Sequence, residues 1–192
     1  MKSLDPDLIA LFRAGNTAAF DTIYGQYAGR VLAFARRLTG CDADAEDLTQ
    51  DAFLAAFRAK QSYRGEAQFV TWLFGIVSRR WRDGARGTKP PTVSLSDAEE
   101  HSMQFGMHAP DLADDTVRKT TLNQAIEKLD PLLREAFLLV AVSGLTHREA
   151  AAVVGCPLGT IKWRVAEAAH RLRSTLQEPQ ETEKQDVLSI LP

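Results

Sequence analysis

Apolar residues recur three and four positions apart along most of this chain, and that spacing limits the class of fold open to it. Phe20, Ile23, Tyr24, Tyr27, Val31, Phe34, Ala35 and Leu38 follow the spacing, as does the stripe of a helix turned toward a core. Thr39-Gly40 closes that helix, glycine being the usual residue just past a helix end. A second helix is expected from about Asp44 to Ala59, with Leu48, Ala52, Phe53, Ala55, Ala56 and Phe57 on its apolar side. A third is expected from Phe69 to Ala85, carried by Phe69, Trp72, Leu73, Ile76 and Val77. The pattern resumes with Val117, Leu122, Ala125, Ile126 and Leu129. Asp130-Pro131 then opens another helix, with Asp as N-cap and Pro in the first turn, and Ser143-Gly144 ends it. The chain is therefore expected to be all-α.

One stretch breaks the pattern. Residues 88–116 hold Pro90, Pro91 and Pro110 among Ser, Asp, Glu, Met and Gly, with no apolar stripe. They read as a flexible, acidic linker between two helical domains, 1–87 and 117–178, and residues 179–192 read as a tail. The length of 192 residues suits one ordinary domain or two small ones. The formal net charge of −2 hides a division. Residues 1–87 carry net +2, the linker −5, residues 117–178 +3 and the tail −2. Two mildly basic domains are thus masked by an acidic linker and tail, so the total does not argue against a nucleic-acid partner. Hydrophobic content of 45% and charged content of 25% exclude wholesale disorder. No apolar run reaches the ~18 residues of a membrane span, and no secretory signal is visible at Met1–Asp7. Cys41 and Cys156 make no disulfide scaffold, and a reducing cytoplasm is expected. No glycine-rich nucleotide cradle, nucleophile–base pair or metal cluster is evident, so neither enzyme activity nor a cofactor is expected.

The most specific local signal lies in the second domain. Thr146-His147-Arg148-Glu149 is a capping box, followed by a short helix over Ala150, Ala151, Val153 and Val154. Gly155-Cys156 makes a turn, and Pro157 is expected at N1, the first helical position, of a last helix reaching about Leu176. Ala151, Gly155 and Ile161 have helix-turn-helix spacing: a small residue where helices cross, a glycine in the turn, and an anchor in the core. Leu158, Ile161, Val165, Ala168 and Leu172 share one side of the last helix. Gly159, Trp163, Ala166, Glu167 and His170 share the other, flanked by Lys162, Arg164 and Arg171. A recognition helix reads bases with such a face and phosphates with flanking cations.

Two features of the first domain each admit two explanations. Asp44, Glu46, Asp47 and Asp51 crowd the start of the second helix, where acids suit the helix dipole. Yet Asp47, Gln50 and Asp51 also form a polar face able to dock a basic partner surface. Arg79, Arg80, Arg82 and Arg86 crowd the end of the third helix, where cations suit the dipole. Interleaved with Trp81 and preceded by Tyr63, Phe69 and Trp72, they also suit partly single-stranded DNA, held by phosphate contacts and base stacking. Phe69 and Trp72 lie on the buried stripe and read as packing. Tyr63, in the loop Ser62–Gln68, is the freer to stack.

Four motifs in order resemble the extracytoplasmic-function sigma factors of the sigma-70 family. They are Phe20-Asp21-x-x-Tyr24; Ala45 through Phe53; Tyr63-Arg64-Gly65-Glu66 with Phe69-x-Thr71-Trp72-Leu73; and Gly155 through Lys162. The resemblance covers residues 8–87 and 117–176 and implies sigma region 2 followed by sigma region 4. It implies that Asp47, Gln50 and Asp51 bind the beta-prime clamp helices of core RNA polymerase. It places Tyr63, Arg64, Gly65, Glu66 and Gln68 at a flipped base of the promoter minus-ten element, with Arg79, Arg80, Arg82 and Arg86 along the DNA backbone. It places Thr160, Lys162, Trp163, Arg164, Glu167, His170 and Arg171 at the minus-35 element, with region 4 leaning on the beta flap. It further implies an anti-sigma factor as regulator and transcription initiation of a stress or envelope-response regulon.

The chain departs from the family pattern at two places. Arg79 stands where Asn is usual, at the upstream edge of minus-ten recognition. Trp163-Arg164-Val165-Ala166-Glu167 replaces the usual Ser-Arg run, so an unusual minus-35 sequence is expected. Trp163 suits a thymine methyl group and Glu167 suits cytosine N4; Trp163 equally suits an anti-sigma contact. The apolar tail Val187–Leu191 reads either as a frayed end or as a docking segment. His101 and His108, without supporting ligands, are expected to hold no metal.

Overall fold

The computed structural model describes residues 4–85 and 116–177. Residues 88–115 of the linker, the tail, Arg86, His101 and His108 lie outside the described residues, and Thr116, expected in the linker, is the first residue of a helix. The chain divides into two compact units, Met1–Ala113 and Asp114–Pro192.

The first unit contains α1 (Pro6–Arg13), α2 (Thr17–Thr39), α3 (Asp42–Arg58), a 3-10 turn (Lys60–Ser62) and α4 (Phe69–Ala85). The short helix α1 is an addition to the sequence expectation. Asp5 caps it by accepting from the Asp7 amide at 3.0 Å, with Pro6 in the first turn where a missing N–H costs nothing. Asn16 caps α2 in the same way through the Ala19 amide at 2.9 Å. Gly40, in the left-handed region, ends α2, and only Cys41 separates it from α3. Helices joined so closely return antiparallel, and α3 packs along α2 and against α4.

An aromatic cluster fills the space between them. Phe12 of α1 is fully buried and lies 5.6–6.5 Å, centroid to centroid, from Phe20, Phe57, Phe69 and Trp72. Phe34 and Phe74 meet edge to face at 5.1 Å deeper in the unit. Edge-to-face rings contribute about 0.5–1.5 kcal/mol beyond the area they bury.

The second unit contains α5 (Thr116–Glu127), α6 (Pro131–Ala141), α7 (His147–Val154) and α8 (Leu158–Gln177). Its large buried apolar residues are aliphatic, among them Ile126, Leu129, Leu133, Leu138, Leu139, Ile161 and Leu172, and Glu135 and Ser143 are buried with them. Asp130 caps α6 by accepting from the Leu132 amide at 2.9 Å. Arg134 reaches back and donates to the carbonyls of Glu127 and Leu129, closing the end of α5. The capping box at Thr146 is complete: its hydroxyl accepts from the Glu149 amide, and the Glu149 carboxylate accepts from the Thr146 amide at 2.8 Å.

Gly155 has φ 74°, a left-handed conformation that side-chain-bearing residues rarely adopt. It turns the chain from α7 into α8, and its amide and that of Cys156 both donate to the Ala151 carbonyl. Ala151 and Ile161 are buried, as the helix-turn-helix spacing requires. One detail differs from expectation. Pro157 stands just before α8, and its carbonyl accepts from the amides of Thr160 and Ile161. It therefore opens the helix from the cap position and is not its first helical residue.

Candidate nucleic-acid interface

The residues singled out in the sequence fall on three surfaces. On α3, Asp47, Gln50 and Asp51 are all exposed. The helix begins at Asp42, and its first-turn acids are Asp42 and Asp44; Asp42 pairs with Arg36 at 3.0 Å. The dipole effect fades within the first turn, so it accounts for Asp42 and Asp44 and not for Asp47 and Asp51. Leu54 continues the same row, three residues beyond Asp51, and is 45% exposed. Sequence reading missed it, although its position off the buried stripe of Ala52, Phe53, Ala55 and Ala56 was a usable signal.

The second surface joins the loop before α4 to the cationic end of that helix. Arg64, Gly65, Glu66 and Gln68 are exposed. Gly65 has φ 77°, which again favours glycine. Tyr63 is not exposed with them, and this corrects the expectation that it was free to stack. It is 5% exposed, its hydroxyl donates to the Ala67 carbonyl at 2.9 Å, and its ring lies 5.3 Å from those of Phe69 and Trp72. Burial, with Tyr27 nearby, pushes its pKa up. Tyr63 thus frames the loop instead of projecting from it. Phe69 is buried and Trp72 half-buried, in keeping with packing. Arg79 is exposed, while Arg80 and Arg82 are half-buried. Arg79 and Arg82, three apart, are neighbours on the helix surface, and Arg80 lies about 100° round the helix from Arg79. Arg82 Nε donates to the Ser78 carbonyl at 3.2 Å.

The third surface is α8. Trp163 is 60% exposed, the most exposed of the large apolar side chains among the described residues. Trp163, Glu167, His170 and Arg171 stand at i, i+4, i+7 and i+8 and so share one row. Thr160, half-buried, starts that row; Lys162, exposed, and Arg164, half-buried, flank it. Arg171 Nε donates to Glu167 Oε1 at 2.7 Å. On helix stability such a pair contributes only about 0.2–0.5 kcal/mol. Beside the row, a groove of about 390 Å³ opens between α5 and α8, floored by Ala125 and Leu129 and rimmed by Lys128, Glu167, His170 and Arg171. Lys128 is a cation the sequence reading did not include. Among the described residues, no three His, Cys, Asp or Glu side chains converge on a metal position, and no helix is long and apolar enough to cross a membrane.

Known proteins carry the same two regions in the same order. The model of sigma-70 region 2 matches residues 23–90 and that of sigma-70 region 4 matches residues 119–172. The chain is 31% identical over 183 residues to the RNA polymerase sigma-H factor of Pseudomonas aeruginosa, covering 90% of this chain and 94% of that one. It is 28% identical over 181 residues to the ECF RNA polymerase sigma-E factor of Escherichia coli K12, covering 90% and 94%. Among solved structures, the sigma factor RpoE of Bartonella quintana, in complex with the anti-sigma factor NepR, matches with a TM-score of 0.63 at 28% identity, covering 84% of this chain and 98% of that one. CnrH, solved with the cytosolic domain of CnrY, shares the fold with a TM-score of 0.65 at 24% identity, covering 88% and 94%. With region 2 and region 4 in order, and relatives matched over nearly their whole length, the chain belongs to the extracytoplasmic-function sigma factors of the sigma-70 family.

Proposed function

We propose that this sigma factor divides its work among the three surfaces, with residues 1–87 acting as region 2, 88–116 as a tether and 117–178 as region 4. The observation that carries this is the acidic row of Asp47, Gln50 and Asp51, exposed beyond the first turn of α3 where the helix dipole does not account for it. Carboxylates in such a row repel DNA and suit a basic protein surface, the clamp helices of beta-prime in core RNA polymerase. The Arg64–Gln68 loop, held open by Tyr63, takes a base of the minus-ten element. Arg79, Arg80 and Arg82, with Arg86, line the adjoining phosphates. Thr160, Lys162, Trp163, Arg164, Glu167, His170 and Arg171 meet the minus-35 element in the major groove, and region 4 leans on the beta flap.

The modest charge of each domain, +2 and +3, supports little electrostatic grip on DNA by the isolated chain. Promoter binding then depends on polymerase, which also performs the catalysis; the sigma factor is not itself an enzyme and works in the cytoplasm. RpoE was solved with an anti-sigma factor, which supports an anti-sigma partner here too. The test is run-off transcription from genomic fragments with the full chain and core polymerase. Initiation is expected only with both present, and Asp47→Lys with Asp51→Lys should abolish retention on core. Tight DNA binding without core, or undiminished initiation by the double variant, would overturn the assignment.

A further inference from the structure

Glu167 is the sole acidic side chain of α8, among Lys162, Arg164, His170, Arg171 and Arg173. A helix that only gripped phosphates would gain nothing from a carboxylate, half-buried as Glu167 is, in the middle of its outward row, because like charges repel. Two observations say what the carboxylate does. Its Oε1 accepts from Arg171 Nε at 2.7 Å, so its charge is partly offset and the carboxylate is biased toward Arg171, while that bond leaves Oε2 and the Arg171 amino groups unused. Trp163 stands one turn earlier in the same row, 60% exposed, about 6 Å along the helix axis.

In the major groove, cytosine N4 donates with no acceptor beside it on the same base. The adenine amino group sits beside N7, an acceptor that repels a carboxylate, and thymine offers a methyl group to an apolar ring. On a helix inclined in the major groove, side chains three to four positions apart meet successive bases. We infer that Glu167 selects a cytosine and Trp163 a thymine in the neighbouring base pair of the minus-35 element, with Arg171 as the positioning residue of Glu167. The inference rests on the sigma-factor assignment above and adds which bases this chain's α8 chooses.

The experiment is selection of randomised duplex DNA by holoenzyme reconstituted from the full chain and core polymerase. The unaltered chain should enrich one cytosine and, at the neighbouring position, one thymine. Glu167→Gln, the same shape with an amide that pairs with adenine N6 and N7, should move the first preference from cytosine to adenine by roughly tenfold. Trp163→Ala should erase the thymine preference alone. Arg171→Ala should weaken the cytosine preference severalfold, and Arg171→Lys should restore most of it. An enriched motif that Glu167→Gln leaves unchanged overturns the base assignment and leaves the sigma-factor assignment standing. Failure of the unaltered chain to bind core or to enrich any motif overturns both.

Discussion

The two units handle aromatic side chains in opposite ways. The first gathers Phe12, Phe20, Tyr27, Phe34, Phe53, Tyr63, Phe69 and Phe74 inside, including one ring that a polar loop seemed to offer to solvent. The second builds its core from aliphatic side chains and leaves Trp163 outside. Tyr63 in its loop looks available by sequence and is structural. Trp163 lies on the side of its helix away from the buried Ile161, Ala168 and Leu172 and stays 60% exposed.

The contrast can be broken most forcefully at Phe12. Phe12→Ala removes the ring on which four others converge and should cost the first unit about 3–5 kcal/mol. In denaturant unfolding of the full chain, the transition of the first unit should move and that of the second should not; equal movement of both would show that the cores are not separate. A smaller effect should appear with pH. All three tyrosines, Tyr24, Tyr27 and Tyr63, lie in the first unit. Burial raises the pKa of each, with Arg30 opposing it at Tyr27. The unfolded chain releases these protons first, so the stabilising contribution is complete below about pH 10 and is lost as the pH rises through and beyond it. Circular dichroism during alkaline titration should show the first unit failing before the second; the reverse order would break the contrast. The smallest effect sharpens it from the other side. Thr146→Ala, which dismantles the capping box of α7, should cost the second unit alone about 1 kcal/mol, read as a shift of its unfolding midpoint.

The helices were legible wherever a stripe was long or a cap explicit. Phe69–Ala85, the Asp130-Pro131 start and the Thr146 capping box stand in the structure as the residues imply. The helix α1 escaped because eight residues give barely two turns, too few for periodicity to stand out. Yet its Asp5-Pro6 start is the same signal that revealed α6. Phe12 escaped with it, and so did the centre of the first core. On the candidate surfaces, exposure of the α3 and α8 rows follows from helical geometry and was open to inspection. The burial of Tyr63 was not, because what covers it is the packing of Phe69 and Trp72, a tertiary fact that a polar loop sequence conceals. The Glu167–Arg171 pair was latent in its i, i+4 spacing, but the sequence does not say whether the carboxylate turns to its neighbour or outward.

The Tyr63 hydroxyl bonds the main-chain carbonyl of Ala67 and no side chain within its loop. The brace is therefore indifferent to what occupies positions 64, 65 and 66, provided that a residue at 65 tolerates the left-handed turn. Shape and content are uncoupled: the frame is set by one phenol anchored in an aromatic core, and the residues it displays are free to vary. Such a loop is an exchangeable cassette, able to change what its tip presents without renegotiating the fold that carries it.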